Sequence, residues 1–272
     1  MSVIECQPFQ IPGASQRVIR SKEGDTYRIM LWKPQGEAPP NGFPVYYILD
    51  ANAVFGTITE TIRLQANGPR KQEAAVIVGI GYDSDLPLVT ARRFYDYTIE
   101  ARKEELPERK DGTDWPKTGG IEAFLAFIEE NLKPFVEQEI HINQERQTLF
   151  GHSLGGLFVL YTLFTRPNSF HYYAAGSPSV WWKNEVIYQF LEPFIMNHQL
   201  DQIGEKKLFI GVGSEERQDM IEGAEAIYNR LKAANITGLD VQHECFQNEN
   251  HISVLLPFIS RVVRSFRIEK KY

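Results

Sequence analysis

Residues 147–161, QTLFGHSLGGLFVLY, decide the fold and carry the strongest chemical signal in the chain. An apolar run ends at Phe150, a Gly-x-Ser-x-Gly pattern is centred on Ser153, and an apolar helical run follows directly. A strand, a sharp turn of small residues and a helix are the elements that present a nucleophilic serine at the edge of a sheet. The alternative is a serine that caps the helix after a glycine turn. We favour the nucleophile, because the pattern stands between a strand and a helix.

Short apolar runs recur along the chain and are typical of strands buried on both faces of a parallel sheet. They span 44–50, 74–80, 147–150, 172–177 and 206–213, with a more alternating run at 240–246 that is predicted nearer an edge. Residues 18–20 and 26–32 flank a tight turn and predict a further strand pair. Helical patterns lie between the strands, at 121–140, 154–164, 219–235 and 253–266. This alternation predicts an α/β fold in one domain over 1–272, with a mostly parallel sheet flanked by helices on both faces.

Two segments interrupt the alternation and are candidates for covering a site. Residues 82–118 are long and rich in charges of both signs, and loops of this length are often functional. Residues 181–198 begin with two tryptophans and continue with a helix-like pattern, which predicts a small cap. The alternatives are a solvated surface excursion for the first segment and ordinary aromatic packing for the second.

A serine nucleophile needs a base and a carboxylate that orients the base. In hydrolases with this turn the chain order is serine, acid, histidine. His251 lies in a polar loop between the last predicted strand and the last predicted helix, where the base belongs; the alternative is a surface histidine. The acid is expected just after the run at 206–213, where we favour Glu216 over Glu215, with Asp219 as a further candidate.

An oxyanion hole requires two backbone N–H groups aimed at the developing negative charge. One is expected from Leu154, the residue after the nucleophile. The second is expected from the loop after the run at 44–50, where Asn52 is the assigned donor.

Composition and charge exclude several classes of protein. The 272 residues are 43% hydrophobic and 24% charged, as in ordinary globular domains. The net charge of −6 and the lack of a long basic cluster argue against nucleic-acid binding. We find neither a secretory signal pattern nor an apolar run of the roughly 20 residues that a membrane helix needs, so we expect a cytoplasmic protein with no membrane partner. Cys6 and Cys245 are expected to be reduced, unrelated thiols, although one pairing remains open.

Three stretches carry a resemblance to a known family. They are residues 118–140, LFGHSLGGLFVLY at 149–161 and SPSVWW at 177–182. Over nearly its whole length the chain resembles the esterase branch of the α/β-hydrolases, which includes the enterochelin esterase-like proteins and the bacillibactin trilactone hydrolases. The second and third stretches together are far more specific than Gly-x-Ser-x-Gly alone. The resemblance implies the α/β-hydrolase fold.

The resemblance also implies roles for individual residues. Ser153 matches the nucleophile, His251 the base and Glu216 the acid of a Gly-x-x-Glu motif, although some members are described as working with a Ser–His dyad. The family usually has Leu-Asp-Gly where this chain has Leu49-Asp50-Ala51. Alanine lacks the freedom of glycine to take a positive φ, so a slightly different oxyanion loop is expected.

Substrate contacts are expected from both interrupting segments. Arg92, Arg93, Asp96 and Thr98 resemble the family's arginine-rich segment. In siderophore-hydrolysing relatives, basic residues near the site meet the negatively charged iron–catecholate complex. The residues expected to bind substrate are Arg92, Arg93, Trp181 and Trp182.

The resemblance implies a serine carboxylic-ester hydrolase that works through an acyl-enzyme intermediate. A siderophore trilactone is the most specific expected substrate, and a small acyl ester or thioester is the broader one. An acyltransferase or thioesterase with the same triad remains open, whereas a non-catalytic binding protein is disfavoured because Ser153, His251 and the glycines of the turn are all present. The expected partner is a small-molecule ester, with any iron–siderophore a substrate. No metal, no organic cofactor and no particular oligomeric state are predicted.

Overall fold

The chain is built around one eight-stranded sheet. The computed structural model describes residues 8–68, 73–109, 112–198 and 203–266. In chain order the strands are β1 (Ala14–Arg20), β2 (Thr26–Trp32), β3 (Phe43–Ile48), β4 (Val76–Gly81), β5 (Ile142–His152), β6 (Tyr172–Gly176), β7 (Lys206–Gly213) and β8 (Leu239–Phe246). Their order across the sheet is β1-β2-β4-β3-β5-β6-β7-β8.

The sheet is parallel except at one side. β2 runs antiparallel to both β1 and β4, whereas every other pair of neighbouring strands, from β4 across to β8, is parallel. Every residue of β3 and β4 is buried, as expected for strands covered on both faces. β8 lies at the edge and alternates in burial. The predicted strands and the mostly parallel arrangement are therefore confirmed.

Helices cover both faces of the sheet. They are α1 (Ala51–Asn67), α2 (Thr90–Asp96), α3 (Ile121–Phe127), α4 (Lys133–Glu139), α5 (Leu154–Thr165), α6 (Trp182–Glu185), α7 (Tyr188–His198), α8 (Gln218–Ala234) and α9 (Leu255–Ser265). One apolar cluster joins α1 and α9 to one face, and a larger one joins α3, α5, α7 and α8 to the other. Adjacent strand residues divide between the clusters, as Tyr47 and Ile48 do.

Two helical regions differ from the sequence prediction. Residues 121–140 are not one regular helix, since a π-helical turn over Ile128–Leu132 joins α3 to α4. Lys133 N–H donates to the carbonyl of Ile128, five residues back, next to Pro134, which has no N–H to donate. The second difference is α1, which begins directly after β3 where only a loop was expected.

The two interrupting segments pack against each other. Residues 82–118 include α2 and a single 3₁₀ turn at Lys103–Glu105, while 110–111 lie outside the described residues. Trp182 Nε1 donates to the carbonyl of Ile99 at 3.0 Å. The aromatic rings that join the segments are Phe94, Trp115, Trp181 and Trp182. The two segments thus form one layer beside α5.

Two further sequence expectations bear on the fold. Cys245 forms no disulfide with any described residue, and Cys6 lies outside the described residues, so a pairing between them stays untested. In the part of the chain that the structure describes, no helix is both long and apolar enough to cross a membrane.

Candidate active site

Ser153 occupies a sharp turn between β5 and α5. Its backbone has φ 60° and ψ −117°, a strained conformation for a residue with a side chain. A hydrogen bond from Ser153 N–H to the carbonyl of Gly176 (2.9 Å) stabilises the turn. Small residues are required here: a Cβ on Gly151 would lie 2.3 Å from the carbonyl oxygen of Gly155. The strand–turn–helix arrangement expected from the sequence is present.

His251 and Glu216 meet at the carboxyl end of the sheet, after β8 and β7. His251 Nδ1 lies 2.6 Å from Glu216 Oε2. The other carboxylate oxygen accepts hydrogen bonds from Ser177 Oγ at 2.5 Å and from Gly213 N–H at 2.8 Å. Burial alone would raise the pKa of Glu216, but the hydrogen bonds from His251, Ser177 and Gly213 hold that pKa below its usual value. The carboxylate is therefore ionised and fully occupied.

The imidazole of His251 lies next to the nucleophile turn. Its ring centroid is 4.6 Å from that of His152, the residue before Ser153. Burial, with a smaller contribution from the positive charge of Arg93, lowers the pKa of His152, which is therefore neutral. Among the described residues, the Ser153 hydroxyl has its hydrogen-bond contact with Ser179 Oγ, at 3.5 Å. Hydrogen bonds between nucleophile and base often tighten only when substrate is bound.

Two helix N-termini supply unpaired N–H groups beside Ser153. Leu154 is the first residue of α5, and Ala51 and Asn52 are the first residues of α1, so these N–H groups have no acceptor within their helices. The side chain of Asn52 is fixed, since Nδ2 donates to the carbonyls of Tyr82 (3.0 Å) and Ser84 (2.7 Å) while Oδ1 accepts from Tyr82 N–H (2.8 Å). Asn52, one of the two predicted oxyanion donors, is therefore held in place by three hydrogen bonds of its side chain.

The positive φ in the oxyanion loop falls on Asp50 rather than on Ala51. Asp50 has φ 51° and ψ 40°, whereas Ala51 is a helical residue buried against the sheet. Alanine at position 51 is therefore unstrained, and the expected difference of this loop from that of the family stays a prediction.

The two arginines predicted to bind substrate both form ion pairs within the protein. Arg93 is buried and forms two hydrogen bonds with the carboxylate of Asp50, at 2.8 and 2.9 Å. Arg92 pairs with Asp25 at 2.5 Å and with Asp96 at 3.3 Å. Each guanidinium is thus paired with a carboxylate of the protein itself, and its contact with a substrate stays a prediction.

The two tryptophans occupy different environments. Trp182 has no exposed surface, and its ring N–H donates to the carbonyl of Ile99; its contact with a substrate stays a prediction. Trp181 is half-buried, and the guanidinium of Arg217 lies 5.6 Å from its ring centroid. Of the two tryptophans, Trp181 is therefore the one whose ring is partly accessible to a ligand.

Sequence reasoning missed three groups at the site. Ser177 and Ser179, within SPSVWW, contact Glu216 and Ser153 respectively, although the motif was used only as a family signature. Asp50 was considered only as part of a main-chain loop. A buried carboxylate beside a helix N-terminus needs a cationic partner, and the arginines of 82–118 were a signal for that pairing.

Comparison with known proteins gives concordant matches. The family model described as "Putative esterase" matches residues 21–251. The ferri-bacillibactin esterase of Bacillus subtilis is 43% identical over 266 residues, with 94% of this chain and 90% of that protein covered. The siderophore enterobactin esterase of Emericella nidulans is 35% identical, with 84% and 80% covered.

Solved structures agree with these matches. The crystal structure of the BES protein from Bacillus cereus superposes with a TM-score of 0.92 at 38% identity, covering 98% of this chain and 100% of that one. The enterobactin and salmochelin hydrolase IroE superposes with a TM-score of 0.72 at 26% identity, with 94% and 95% covered. The eight-stranded sheet with its flanking helices is the α/β-hydrolase fold.

Proposed function

Because the chain belongs to the Esterase family, a group of carboxylic-ester hydrolases, we propose that it hydrolyses siderophore esters with Ser153, His251 and Glu216. The observation that carries the proposal is the 2.6 Å contact between His251 Nδ1 and a buried, ionised Glu216, placed beside the strained Ser153 turn. A buried carboxylate on Nδ1 fixes the tautomer in which Nε2 is free to accept a proton.

Attack begins when the Ser153 hydroxyl turns from Ser179 toward the imidazole of His251. The serine oxygen forms a bond to the ester carbonyl carbon while its proton passes to His251 Nε2. The imidazolium that forms is stabilised by Glu216, whose second oxygen is already held by Ser177 and Gly213. The carboxylate does not take up the proton.

The negative charge of the tetrahedral intermediate is met by the N–H groups of Leu154 and Asn52. Each donor of this kind lowers the barrier by about 3–4 kcal/mol. Because these groups belong to the first turns of two helices, both helix dipoles also favour the oxyanion. Collapse of the intermediate breaks the bond to the alkoxide, which receives the proton from His251. This leaves an acyl group on Ser153.

Hydrolysis of the acyl-enzyme repeats the same steps with water. His251 takes a proton from the water as its oxygen bonds to the acyl carbon, and then returns that proton to the Ser153 oxygen. The products are a carboxylic acid and an alcohol, and the enzyme is unchanged.

Glu216 is a better candidate for the acid than its neighbours. Glu215 is exposed, and Asp219 is ion-paired with Arg217 on the surface. Only the Glu216 carboxylate is within hydrogen-bond distance of His251 among the described residues.

The substrate class rests on the named relatives. Proteins that are 43% and 35% identical to this chain are named esterases of ferri-bacillibactin and of enterobactin. We assign a siderophore trilactone as the substrate, with or without bound iron.

The test compares substrates in the wild type and in Ser153→Ala. Hydrolysis of enterobactin and bacillibactin, each with and without iron, is followed by chromatography beside p-nitrophenyl acetate and butyrate. Cleavage of a trilactone that disappears in Ser153→Ala supports the proposal. Activity confined to the small esters contradicts the substrate assignment, and trilactone cleavage that persists in Ser153→Ala contradicts the mechanism.

A further inference from the structure

Arg93 and Asp50 form a buried ion pair with no part in the chemistry described above. Arg93 Nε lies 2.8 Å from Asp50 Oδ1, and Arg93 Nη2 lies 2.9 Å from Oδ2. The two side chains are only 10% and 8% exposed. A bidentate ion pair of this kind fixes the orientation of the carboxylate as well as its distance. It also joins the 82–118 segment to the loop after β3.

Asp50 is the residue that sets the direction of this loop. The backbone of Asp50 is left-handed and links β3 to α1, whose first residues are Ala51 and Asn52. Its own N–H donates to the hydroxyl of Tyr97 at 3.2 Å, so that N–H is not available to an oxyanion. A left-handed aspartate is strained and persists only where its surroundings hold it. Arg93 and Tyr97, both from the 82–118 segment, are those surroundings.

The Asp50 carboxylate also lies close to the first turn of α5, the helix that begins directly after Ser153. A Cβ built on Gly155, in the first turn of α5, would lie 3.7 Å from Asp50 Oδ2. Without a partner, this carboxylate would repel a developing oxyanion across a poorly solvated space. Arg93 neutralises it in place.

We propose that the Arg93–Asp50 ion pair is a positioning pair that holds the oxyanion loop and cancels the carboxylate charge beside the oxyanion hole. The proposal rests on the proposed esterase function. On this proposal the 82–118 segment helps to stabilise the transition state, through Arg93, and does not contact the substrate through this residue. Loss of the pair therefore lowers kcat and leaves KM nearly unchanged, because the ester itself does not touch either side chain.

The experiment uses Arg93→Met, Arg93→Lys, Asp50→Asn and the double variant Asp50→Asn/Arg93→Met. The matched control is Arg146→Met, which removes an arginine whose side chain is 11% exposed and paired with Glu73 near the opposite end of β5. Fluorophosphonate titration counts active sites, so that any misfolded fraction is removed from kcat. Thermal melts are recorded for each variant.

We expect Arg93→Met to lower kcat on p-nitrophenyl butyrate by at least about tenfold, with KM within about twofold of the wild type. Arg93→Lys keeps the positive charge but loses the bidentate hydrogen bonding, so its kcat should lie between those of the wild type and Arg93→Met. The Ki of a trifluoromethyl ketone, which forms an oxyanion on Ser153, should rise in parallel with the loss of kcat. The double variant should lose less than the sum of its single variants, because it leaves no unpaired carboxylate.

A pair that only stabilises the fold would lower the melting temperature without moving kcat or the ketone Ki per titrated site, as we expect for Arg146→Met. That result in Arg93→Lys and Asp50→Asn would overturn the proposal even if Arg93→Met cannot be recovered folded. Failure of the esterase function itself would be recognised separately, as an activity that is absent in the wild type or unchanged in Ser153→Ala.

Discussion

Replacing Glu216 by Gln changes the charge that orients His251 while keeping the shape of the side chain. In the wild type one carboxylate oxygen accepts from Ser177 and Gly213, and the other lies 2.6 Å from His251 Nδ1. Because the first oxygen faces two donors, the amide of the variant must place its carbonyl there and turn its NH₂ toward the imidazole. Two donors then face each other unless the ring changes tautomer.

The size of the effect follows from that tautomer. With the proton on Nε2, His251 has no lone pair with which to accept the proton of Ser153. The corresponding substitution in a serine protease triad lowers kcat by about 10⁴ with little structural change. We expect a loss of about 10³–10⁴ in kcat for Glu216→Gln, equivalent to about 4–5.5 kcal/mol of barrier.

The assay is the steady-state hydrolysis of p-nitrophenyl butyrate, with active sites counted by fluorophosphonate labelling. Glu215→Gln is the matched control, since Glu215 is exposed and its backbone N–H, not its side chain, donates to the carbonyl of Glu249 (2.9 Å). Its kcat should stay within about twofold of the wild type. A Glu216→Gln enzyme with less than a tenfold loss would refute the reasoning and show that a Ser–His dyad suffices. Equal losses in both variants would refute the choice of acid.

Three further predictions concern the fold around the site. Trp182→Ala should lower the free energy of unfolding by about 3–5 kcal/mol in a denaturant titration, because the ring is fully buried, whereas the half-buried Trp181→Ala should cost clearly less. Gly151→Ala should give no folded, active enzyme, because its Cβ would lie 2.3 Å from a backbone oxygen. Gly56 lies inside α1, and a Cβ there would lie 3.8 Å from the side chain of Ile11, an ordinary contact. Gly56→Ala should therefore stabilise the protein by about 0.5–1 kcal/mol. Burial raises the pKa of Asp96 from 3.8 to about 6, so the folded state binds this proton more tightly than the unfolded chain. The contribution of Asp96 to stability should therefore fall by roughly 1–3 kcal/mol as the pH rises from about 4 to 7, and the melts of Asp96→Asn should differ from those of the wild type by that change; melts with the same pH dependence in the variant would contradict this origin.

Much of the architecture could be predicted because its signals are local. The all-apolar runs of β3 and β4 can be buried only between two layers, and the pattern around Ser153 specifies a strand, a turn and a helix. Chain order then placed His251 and the acid after neighbouring strands, with Glu216 favoured over Glu215 and Asp219, and the structure brings Glu216 and His251 together there.

The parts that could not be predicted depend on contacts between distant segments. Arg93 and Asp50 are 43 residues apart, so the sequence shows two charges but not their pairing. Trp181 and Trp182 are chemically identical neighbours, and only the packing against Ile99 decides which of them is buried. The sequence prediction did not include helix α1, because its first residues were treated as a loop. The apolar spacing of Val54, Ile58 and Ile62 is nevertheless that of a helix face buried against the sheet.

The most direct test of the central claim is to label the protein with diisopropyl fluorophosphate and locate the label by mass spectrometry while following esterase activity. We predict a single label per chain within the peptide between Arg146 and Arg166, on Ser153, with activity lost in the same proportion. Labelling of His251→Ala should be slower by about 10³-fold or more, since the serine then has no base. Activity that survives in fully labelled protein, or a label on another residue, would contradict the account.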